Sequence, residues 1–345
     1  RLSAGAAHDE LARLLIIAAL DEGRGAGGPQ LAAASAGRTA KLLAELMRGA
    51  ASRALDPETP LPQRLESIQL LRCAPFADAC DAVRQILQPQ APHELQLAAI
   101  AALGSFADAP VDEALLEKWP TLTPGLRMAV AEALLSRPAW AAALLAAVES
   151  GAVGAAELDP AHSARLLAHP ADSIRNLAER VLAAAVLPRR DDVVAAYRPA
   201  LDLAGDVARG RDAFRRACAA CHQLEGEGTP VGADLQAIAD RGAEAILLNI
   251  LDPNREVKPQ FLTYVAATTS GLAVAGMVAE ETANELSLRR VDGSTVRLAR
   301  ADVESLESTG MSFMPEGLEQ QLDMQTMADL LAYLGAVAQT QPGGP

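Results

Sequence analysis

The residues best suited to chemistry in this sequence are two cysteines and a histidine within one pentapeptide. Cys218 and Cys221 are separated by two residues, and His222 follows at once. One helical turn would bring both thiols to the same face, where each sulfur can form a thioether with a vinyl group of a porphyrin. The pattern therefore predicts covalent attachment of one heme c per chain through Cys218 and Cys221, with His222 as the proximal iron ligand.

Two other functions of a Cys-x-x-Cys pair fit the sequence less well. A zinc ribbon needs a second pair of ligands, and neither Cys73 and Cys80 nor the other histidines have the required spacing. A thioredoxin-like redox pair would follow a strand, and no strand-like stretch precedes Phe214. The segment before the motif instead favours a helix, on which Gly210 would let a second helix cross closely and Phe214 would cover the heme.

The second axial ligand is predicted to be a methionine, because soft sulfur is a common ligand of heme iron and every other histidine lies in the first 200 residues. Five methionines follow the motif: Met277, Met311, Met314, Met324 and Met327. Met314 is favoured and Met311 is the alternative, since both occur in "STGMSFMPEGL", which reads as an irregular loop. Met277 lies in a β-patterned stretch, and Met324 and Met327 have the spacing of core residues on the last predicted helix.

The stretch between the motif and Met314 reads as β structure from residue 259 to 306. Period-2 segments alternate with turn signals at Ser270-Gly271 and Asp292-Gly293, and the second is a strong hairpin signal. Four or five short strands would be enough for a small closed barrel. If 259–306 is an insertion, 44 residues remain between His222 and Met314, which suits a compact helical domain.

The first 200 residues are predicted to be helical and repetitive. The tetrapeptide FADA begins at Phe76 and again at Phe106. Similar amphipathic segments recur at four places: 64–73, 94–103, 125–134 and 173–182. Such units bury their apolar faces only against neighbours, which predicts a HEAT-like α-solenoid, with a plain helical bundle as the alternative. Three histidines near predicted helix ends are interpreted as surface or capping residues: His93, His162 and His169.

Cys73 and Cys80 are the remaining thiols. On one continuous helix their Cα atoms would lie about 10 Å apart, too far for a disulfide. Pro75 should end that helix and place the two residues on antiparallel neighbours. A disulfide and a pair of small buried thiols therefore both remain open.

Charge and hydropathy exclude two classes of partner. The formal net charge is −14, from 30 basic and 44 acidic residues, so nucleic acid and an anionic membrane surface would be repelled. No run of 18 apolar residues occurs, which predicts no membrane span in this piece. The chain begins at Arg1, and we interpret it as a piece of a longer precursor.

Several segments together resemble the Verrucomicrobium-type heme-binding domain over residues 205–338: "RGRDAFRRACAACH", "GADL", "ILLNILDPNREV", "GMVAEE" and "MPEGLEQQL". The preceding helical region, with "EKWPTLTP" and "SRPAW", resembles the part ahead of that domain in large exported proteins, which often begin with a propeller similar to sugar dehydrogenases. The resemblance implies that Cys218 and Cys221 hold the heme, with His222 proximal and Met314 distal. Met314 precedes a proline, as the ligand does in many cytochromes.

One departure from the family pattern concerns the loop after the motif. The family's Gly-Pro-Asp-Leu reads Gly232-Ala233-Asp234-Leu235 here. In related cytochromes the proline carbonyl accepts a hydrogen bond from the proximal histidine. Ala233 keeps a carbonyl, so the resemblance implies that the bond persists on a less rigid loop.

The predicted fold is mainly α: a HEAT-like α-solenoid at 1–200, then a cytochrome c-like helical domain at 201–258 and 307–345, with the small β-barrel 259–306 inserted. The predicted function is electron transfer, since a heme with two axial side-chain ligands has no open site for substrate. A heme-based sensor or peroxidase with a labile distal ligand, and an interaction scaffold with a structural heme, are the alternatives. The resemblance implies an exported, periplasmic protein that passes electrons from a dehydrogenase domain to a soluble or membrane-bound acceptor.

Overall fold

The computed structural model describes residues 38–89, 91–106, 110–184, 189–235, 241–282 and 284–340. Helices predominate, so the prediction of a mainly α chain is confirmed. The predicted repeat region before residue 38 lies outside the described residues. The helices of its described part are α1 (Arg38–Leu55), α2 (Leu61–Leu71), α3 (Phe76–Ile86), α4 (His93–Gly104), α5 (Val111–Leu116), α6 (Pro124–Leu134), α7 (Pro138–Glu149), α8 (Pro160–Leu167) and α9 (Asp172–Ala184).

Proline sets where these helices begin. It is the N-cap residue of α2 to α5 and the first residue of α6 to α8. A proline ring is compatible with the first helical turn, where the missing N–H has no partner to lose, but it interrupts a helix that would run through it. The chain is therefore divided into short helices that must fold back on one another.

These helices share one core built mainly from Ala, Leu and Val. Alternate helices contact each other, α2 with α4 and α4 with α6, while α5 and α9 both contact α7. Phe76 and Phe106, which open the repeated tetrapeptide, meet edge to face with ring centroids 5.6 Å apart. The units thus pack on their neighbours, whereas their assignment to the HEAT class stays a prediction.

A second group of helices surrounds the Cys-x-x-Cys-His motif. It consists of α10 (Asp191–Tyr197), α11 (Val207–Ala217), the hairpin strands β1 (Gln223–Leu224) and β2 (Glu227–Gly228), α12 (Ala243–Leu251) and α13 (Met324–Thr340). Their apolar side chains form a core of their own. Helix α13 begins at Met324, where Asp323 caps it by accepting the N–H of Thr326 at 2.8 Å.

The β-patterned stretch forms a five-stranded antiparallel sheet. Its strands are β3 (Leu262–Thr268), β4 (Ala273–Glu281), β5 (Glu285–Arg289), β6 (Thr295–Ala299) and β7 (Val303–Ser312), in the spatial order β6-β5-β4-β3-β7. The turns predicted at Ser270-Gly271 and Asp292-Gly293 are present, with positive φ at both glycines. Among the described strands β6 and β7 are the two edges, so a closed barrel is not confirmed.

Strand β7 is longer than the sequence pattern indicated. It runs to Ser312, which pairs with Leu262 of β3, and so continues past residue 306 into the predicted loop that contains Met311. The reason is pairing: exposed and half-buried residues continue to alternate, and β3 pairs with β7 on both sides of a register irregularity, up to Ser312. The chain leaves the sheet at Phe313, whose N–H donates to the Phe261 carbonyl at 2.8 Å.

The sheet packs on the first group of helices through a buried arginine. Arg127 of α6 is 1% exposed and pairs with Glu157, while its guanidinium also donates to the Leu306 carbonyl of β7. The guanidinium lies 5.7 Å from the ring centroid of Trp119 and 5.6 Å from that of Tyr264 on β3. A charge this deeply buried needs such partners, and burial lowers the pKa of Arg127 while Glu157 opposes the shift.

Arg300 makes a second connection between these two parts. It is 2% exposed, pairs with Glu281 of β4 and donates to the Pro89 carbonyl in the loop before α4. Through these buried contacts the sheet is fastened to the helices that precede the motif.

Candidate cofactor site

The motif lies in the turn that ends α11. Cys218 is the C-cap residue, and the N–H groups of Cys221 and His222 both donate to its carbonyl, at 3.1 and 2.9 Å. These bonds continue the helical path for one more turn after the helix ends. The spacing of the motif therefore produces the compact turn that was predicted for it.

The next ten residues fold back over this turn. After the β1–β2 hairpin, the N–H of Thr229 donates to the Ala219 carbonyl at 3.0 Å. The N–H groups of Val231 and Gly232 then donate to the Cys221 carbonyl at 3.0 and 2.6 Å. The loop is thus anchored by backbone bonds to the turn that carries the cysteines, and its position does not depend on side chains alone.

This loop orients the imidazole of His222. Nδ1 lies 2.9 Å from the carbonyl oxygen of Ala233, so Nδ1 carries the proton and donates, which leaves the lone pair on Nε2. A Cβ at Gly232 would lie 2.5 Å from Cε1 of the ring, so only glycine allows the backbone to approach this closely. Burial lowers the pKa of His222, and the bond to Ala233 opposes that shift. The ring is held neutral, with one nitrogen available for a metal.

Both cysteines of the motif are free, half-buried thiols. Burial, and to a lesser extent the neighbouring Cys221, raises the pKa of Cys218 to about 12. Cys218 packs against the apolar core of this unit, as do Met314 and Met324. Two thiols, a neutral imidazole and an apolar wall are the groups that a covalently attached porphyrin needs, and the residues present therefore fit a heme.

The floor of the site is the crossing of α11 and α13. A side chain at Gly210 would overlap the carbonyl of Asp329 and the Cβ of Tyr333, so glycine permits the two helices to touch. Beyond the crossing, the buried rings of Phe214 and Tyr333 pack with centroids 5.8 Å apart. Arg209 donates to both carboxylate oxygens of Asp329, at 2.6 and 2.8 Å.

The methionines fall into distinct environments. Met277 is buried in β4, Met311 is 39% exposed on β7, and Met327 is fully buried in the core around the motif. Met314 is half-buried against that same core, in the irregular segment between β7 and α13. The structure therefore separates Met314 from Met311, which the sequence placed in the same loop.

Side chains of α10 and of Arg190, the residue before it, bind the segment that follows Met314. The Tyr197 hydroxyl lies 2.9 Å from the carbonyl oxygens of both Glu319 and Leu322 and shares its one hydrogen between them. Arg190 pairs with the Glu319 carboxylate at 2.7 Å and lowers its pKa. These contacts were not foreseen from the sequence, because α10 precedes the motif and shows no pattern that points to residue 319.

The other candidate residues of the sequence lie away from this site. Cys73 and Cys80 are buried free thiols, and burial raises the pKa of each. Of the three histidines, His169 accepts the N–H of Ala171 at the start of α9, as a capping residue does. His93 and His162 each lie close to a glutamate, Glu281 and Glu132 respectively. Within the described ranges no cluster of three or more His, Cys, Asp or Glu side chains could bind a metal ion.

The part of the chain that contains the motif matches a known protein family. Residues 207–284, from the start of α11 into the sheet, match the family model of cytochrome c. No curated protein matches the chain. The cofactor of this part of the chain is a covalently bound heme c with its iron, and the match supports heme-based electron transfer in general. None of the helices in the described part of the chain is both long and apolar enough to cross a bilayer.

Proposed function

We propose that this chain transfers single electrons through one heme c attached to Cys218 and Cys221, with His222 and Met314 as the axial ligands. The observation that carries the proposal is the hydrogen bond from His222 Nδ1 to the Ala233 carbonyl, because it presents Nε2 as a neutral ligand beside two thiols. A heme supplies a one-electron iron couple, and two axial ligands from the protein favour electron exchange over substrate binding.

Each residue has a separate task in this proposal. Cys218 and Cys221 hold the group at the end of α11, and the Ala233 carbonyl fixes the ring orientation of His222 and raises its basicity. Phe214 and the crossing helices exclude water from one side. Met314 is proposed as the distal ligand because it is half-buried against the same core as Cys218, in a segment that α10 fastens. A thioether ligand raises the reduction potential relative to a second imidazole.

The division of the chain into functional units is also a proposal. We propose that the heme-binding unit comprises α10 to α12 and the segment from Phe313 through α13, since these elements share one apolar core. The five-stranded sheet is then an insertion whose ends meet at the bond between Phe261 and Phe313. We propose that the helices before α10 form a HEAT-like scaffold that docks the sheet through Arg127 and Arg300.

The setting of the protein follows from the chemistry of attachment. Cytochrome c domains are typically exported, because thioether formation in bacteria takes place outside the cytoplasm. We propose a periplasmic location, a dehydrogenase domain as electron donor, and a soluble or membrane-bound acceptor.

Mass spectrometry of the intact chain after acid–acetone extraction tests the attachment. Expression with working cytochrome maturation should add the mass of one heme to the wild type. The double variant Cys218→Ala/Cys221→Ala should show the bare polypeptide, and Cys73→Ala/Cys80→Ala, which removes the two buried thiols elsewhere, should keep the added mass. An unmodified wild-type mass under these conditions would overturn the proposal.

A further inference from the structure

The hairpin directly after His222 contains a strained residue. Its two turn residues, Glu225 and Gly226, have φ of 50° and 79°, as the type I′ turn of a two-residue hairpin requires. Glycine adopts this region freely, whereas a glutamate there is uncommon and costs about 1 kcal/mol or more. Among the described residues Glu225 is the only non-glycine with positive φ. A glutamate at this position therefore calls for a compensating contact.

The side chain of Glu225 provides that contact. Its carboxylate accepts a hydrogen bond from the Tyr333 hydroxyl at 3.2 Å and pairs with the guanidinium of Arg211. Arg211 also lies over the Tyr333 ring, 5.6 Å from the centroid. One carboxylate thus joins the hairpin to both of the helices that cross beneath the site, α11 and α13.

A second ion pair acts on the same hairpin. Arg215, one turn after Arg211 on α11, makes a two-pronged bond to Glu227 with distances of 2.7 and 2.6 Å. Isolated surface ion pairs contribute little, but bidentate pairs in a network hold geometry better. The ion pair of Glu227 is with α11, whereas Glu225 also reaches the last helix. Glu225 is therefore the residue at which the hairpin and the helix crossing are connected.

The hairpin is continuous with the loop that orients His222. Gly228 ends the hairpin, and the next five residues lead through the bonds to the Cys221 carbonyl to Ala233. A shift of the hairpin would move Gly232, which has no free space against the imidazole, and with it the carbonyl that accepts from Nδ1. The position of the hairpin is thereby transmitted to the ring.

We propose that Glu225 is a positioning residue for the proximal histidine: by joining the hairpin to Arg211 and Tyr333, it sets the hydrogen bond between His222 and Ala233 and so tunes the reduction potential. The inference rests on the proposed role of His222 as an iron ligand. If the hydrogen bond from Nδ1 is weakened, the imidazole becomes a less basic ligand. A less basic imidazole stabilises ferric iron less, so the reduction potential should rise.

The decisive variant is Glu225→Gly in the full heme-bearing chain. Glycine removes the carboxylate and relieves the backbone strain, so the turn itself should be kept or improved. We expect a higher midpoint potential and about tenfold faster hydrogen exchange at the amides of Val231 and Gly232, which report local opening of the loop. Tyr333→Phe, which removes only the hydroxyl, should shift both readouts in the same direction by a smaller amount.

A matched control is Glu244→Gln, which breaks the exposed ion pair with Arg198 elsewhere in the same unit. It should leave both the potential and the loop amides unchanged. If Glu225→Gly keeps the wild-type potential and the wild-type exchange rates, Glu225 is only a turn residue and the inference fails. Failure of the proposed function is seen separately, as a wild type without heme or an iron spectrum that His222→Ala does not alter.

Discussion

The Nδ1 atom of His222 lies 2.9 Å from the carbonyl oxygen of Ala233, eleven residues further along the chain. The resemblance to heme-binding domains places a proline where this chain has Ala233. A carbonyl belongs to the backbone, so the bond survives the replacement, and the loop is fixed by the bonds of Val231 and Gly232 to Cys221 instead. The orientation of the imidazole is therefore a property of the loop path.

Adding a methyl group at Gly232 should disturb this bond. In Gly232→Ala the new Cβ would lie 2.5 Å from the ring, so either the loop or the imidazole must move. We expect a reduced yield of attached heme and a changed iron-ligand spectrum, measured by pyridine hemochrome assay and visible spectroscopy. Ala233→Gly is the matched control, since it removes a methyl group next door but keeps the carbonyl. Equal spectra for both variants and the wild type would show that the close contact between Gly232 and the imidazole does not orient the ring.

Replacement of Met314 should open the iron. Met314→Ala removes the proposed thioether, so we expect a lower reduction potential and binding of carbon monoxide to the ferrous protein. Met311→Ala should change little, because Met311 lies exposed on β7 and not against the core around the motif. Redox titration and carbon monoxide difference spectra measure both effects. Ready binding of carbon monoxide by the wild type would instead favour a heme-based sensor.

The crossing of α11 and α13 should not tolerate a larger residue at Gly210. In Gly210→Ala the added methyl group would overlap the Asp329 carbonyl and the Tyr333 side chain, at a cost of about 1–3 kcal/mol in the free energy of unfolding. Gly335→Ala adds the same group on α13 where nothing lies within 4 Å, and should stabilise the helix by about 0.5–1 kcal/mol. Denaturant unfolding of both variants measures the contrast, and equal stabilities would argue against a close crossing.

Acid should remove the contribution of Asp329. Arg209, followed by the N–H of Asp206 and by Gln325, lowers the pKa of this buried carboxyl to about 2, below its ordinary value of 3.8. Because folding lowers this pKa, the ionised carboxylate of Asp329 stabilises the fold above pH 4. That stabilisation is lost as the pH falls through about 2. Because solvent screens the exposed Arg209, we expect about 1–2 kcal/mol at neutral pH.

The variant Asp329→Asn isolates this contribution. Its deficit in the free energy of unfolding relative to the wild type should be constant from pH 7 to pH 5 and shrink towards pH 2. Urea unfolding over a pH series measures it. A deficit that stays the same at pH 2 would show that the side-chain amide disrupts packing and that the charge of Asp329 is unimportant.

The sheet should be removable without loss of heme. Deleting residues 262–312 and joining Phe261 to Phe313 through two glycines connects positions that already share a hydrogen bond of 2.8 Å. We expect heme attachment to be retained, since none of the proposed ligands is deleted. The helices before α10 should lose stability, because Arg127 would lose the Leu306 carbonyl and the Tyr264 ring. Loss of heme incorporation would contradict an inserted module.

The sequence by itself determined the local features of this protein. The cysteine spacing and His222 predicted the cofactor, prolines placed the starts of most early helices, and Asp292-Gly293 predicted a hairpin that is present. All of these features depend on interactions between residues close in the chain, and short sequence patterns predict such interactions. The same holds for Gly210, whose missing side chain already suggested a close helix crossing.

Only the tertiary structure decided which distant groups meet. The sequence placed Met311 and Met314 in one presumed loop. In the structure, pairing with β3 extends β7 through Met311, whereas Met314 lies beyond the strand and packs against the core around the motif. No local pattern distinguishes Arg127 or Glu225 from an ordinary surface charge, yet Arg127 is buried between α6 and the sheet and Glu225 reaches two helices. No periodicity in the sequence predicts contacts between residues so far apart in the chain. The burial of a charged side chain depends on the groups that the completed fold places around it.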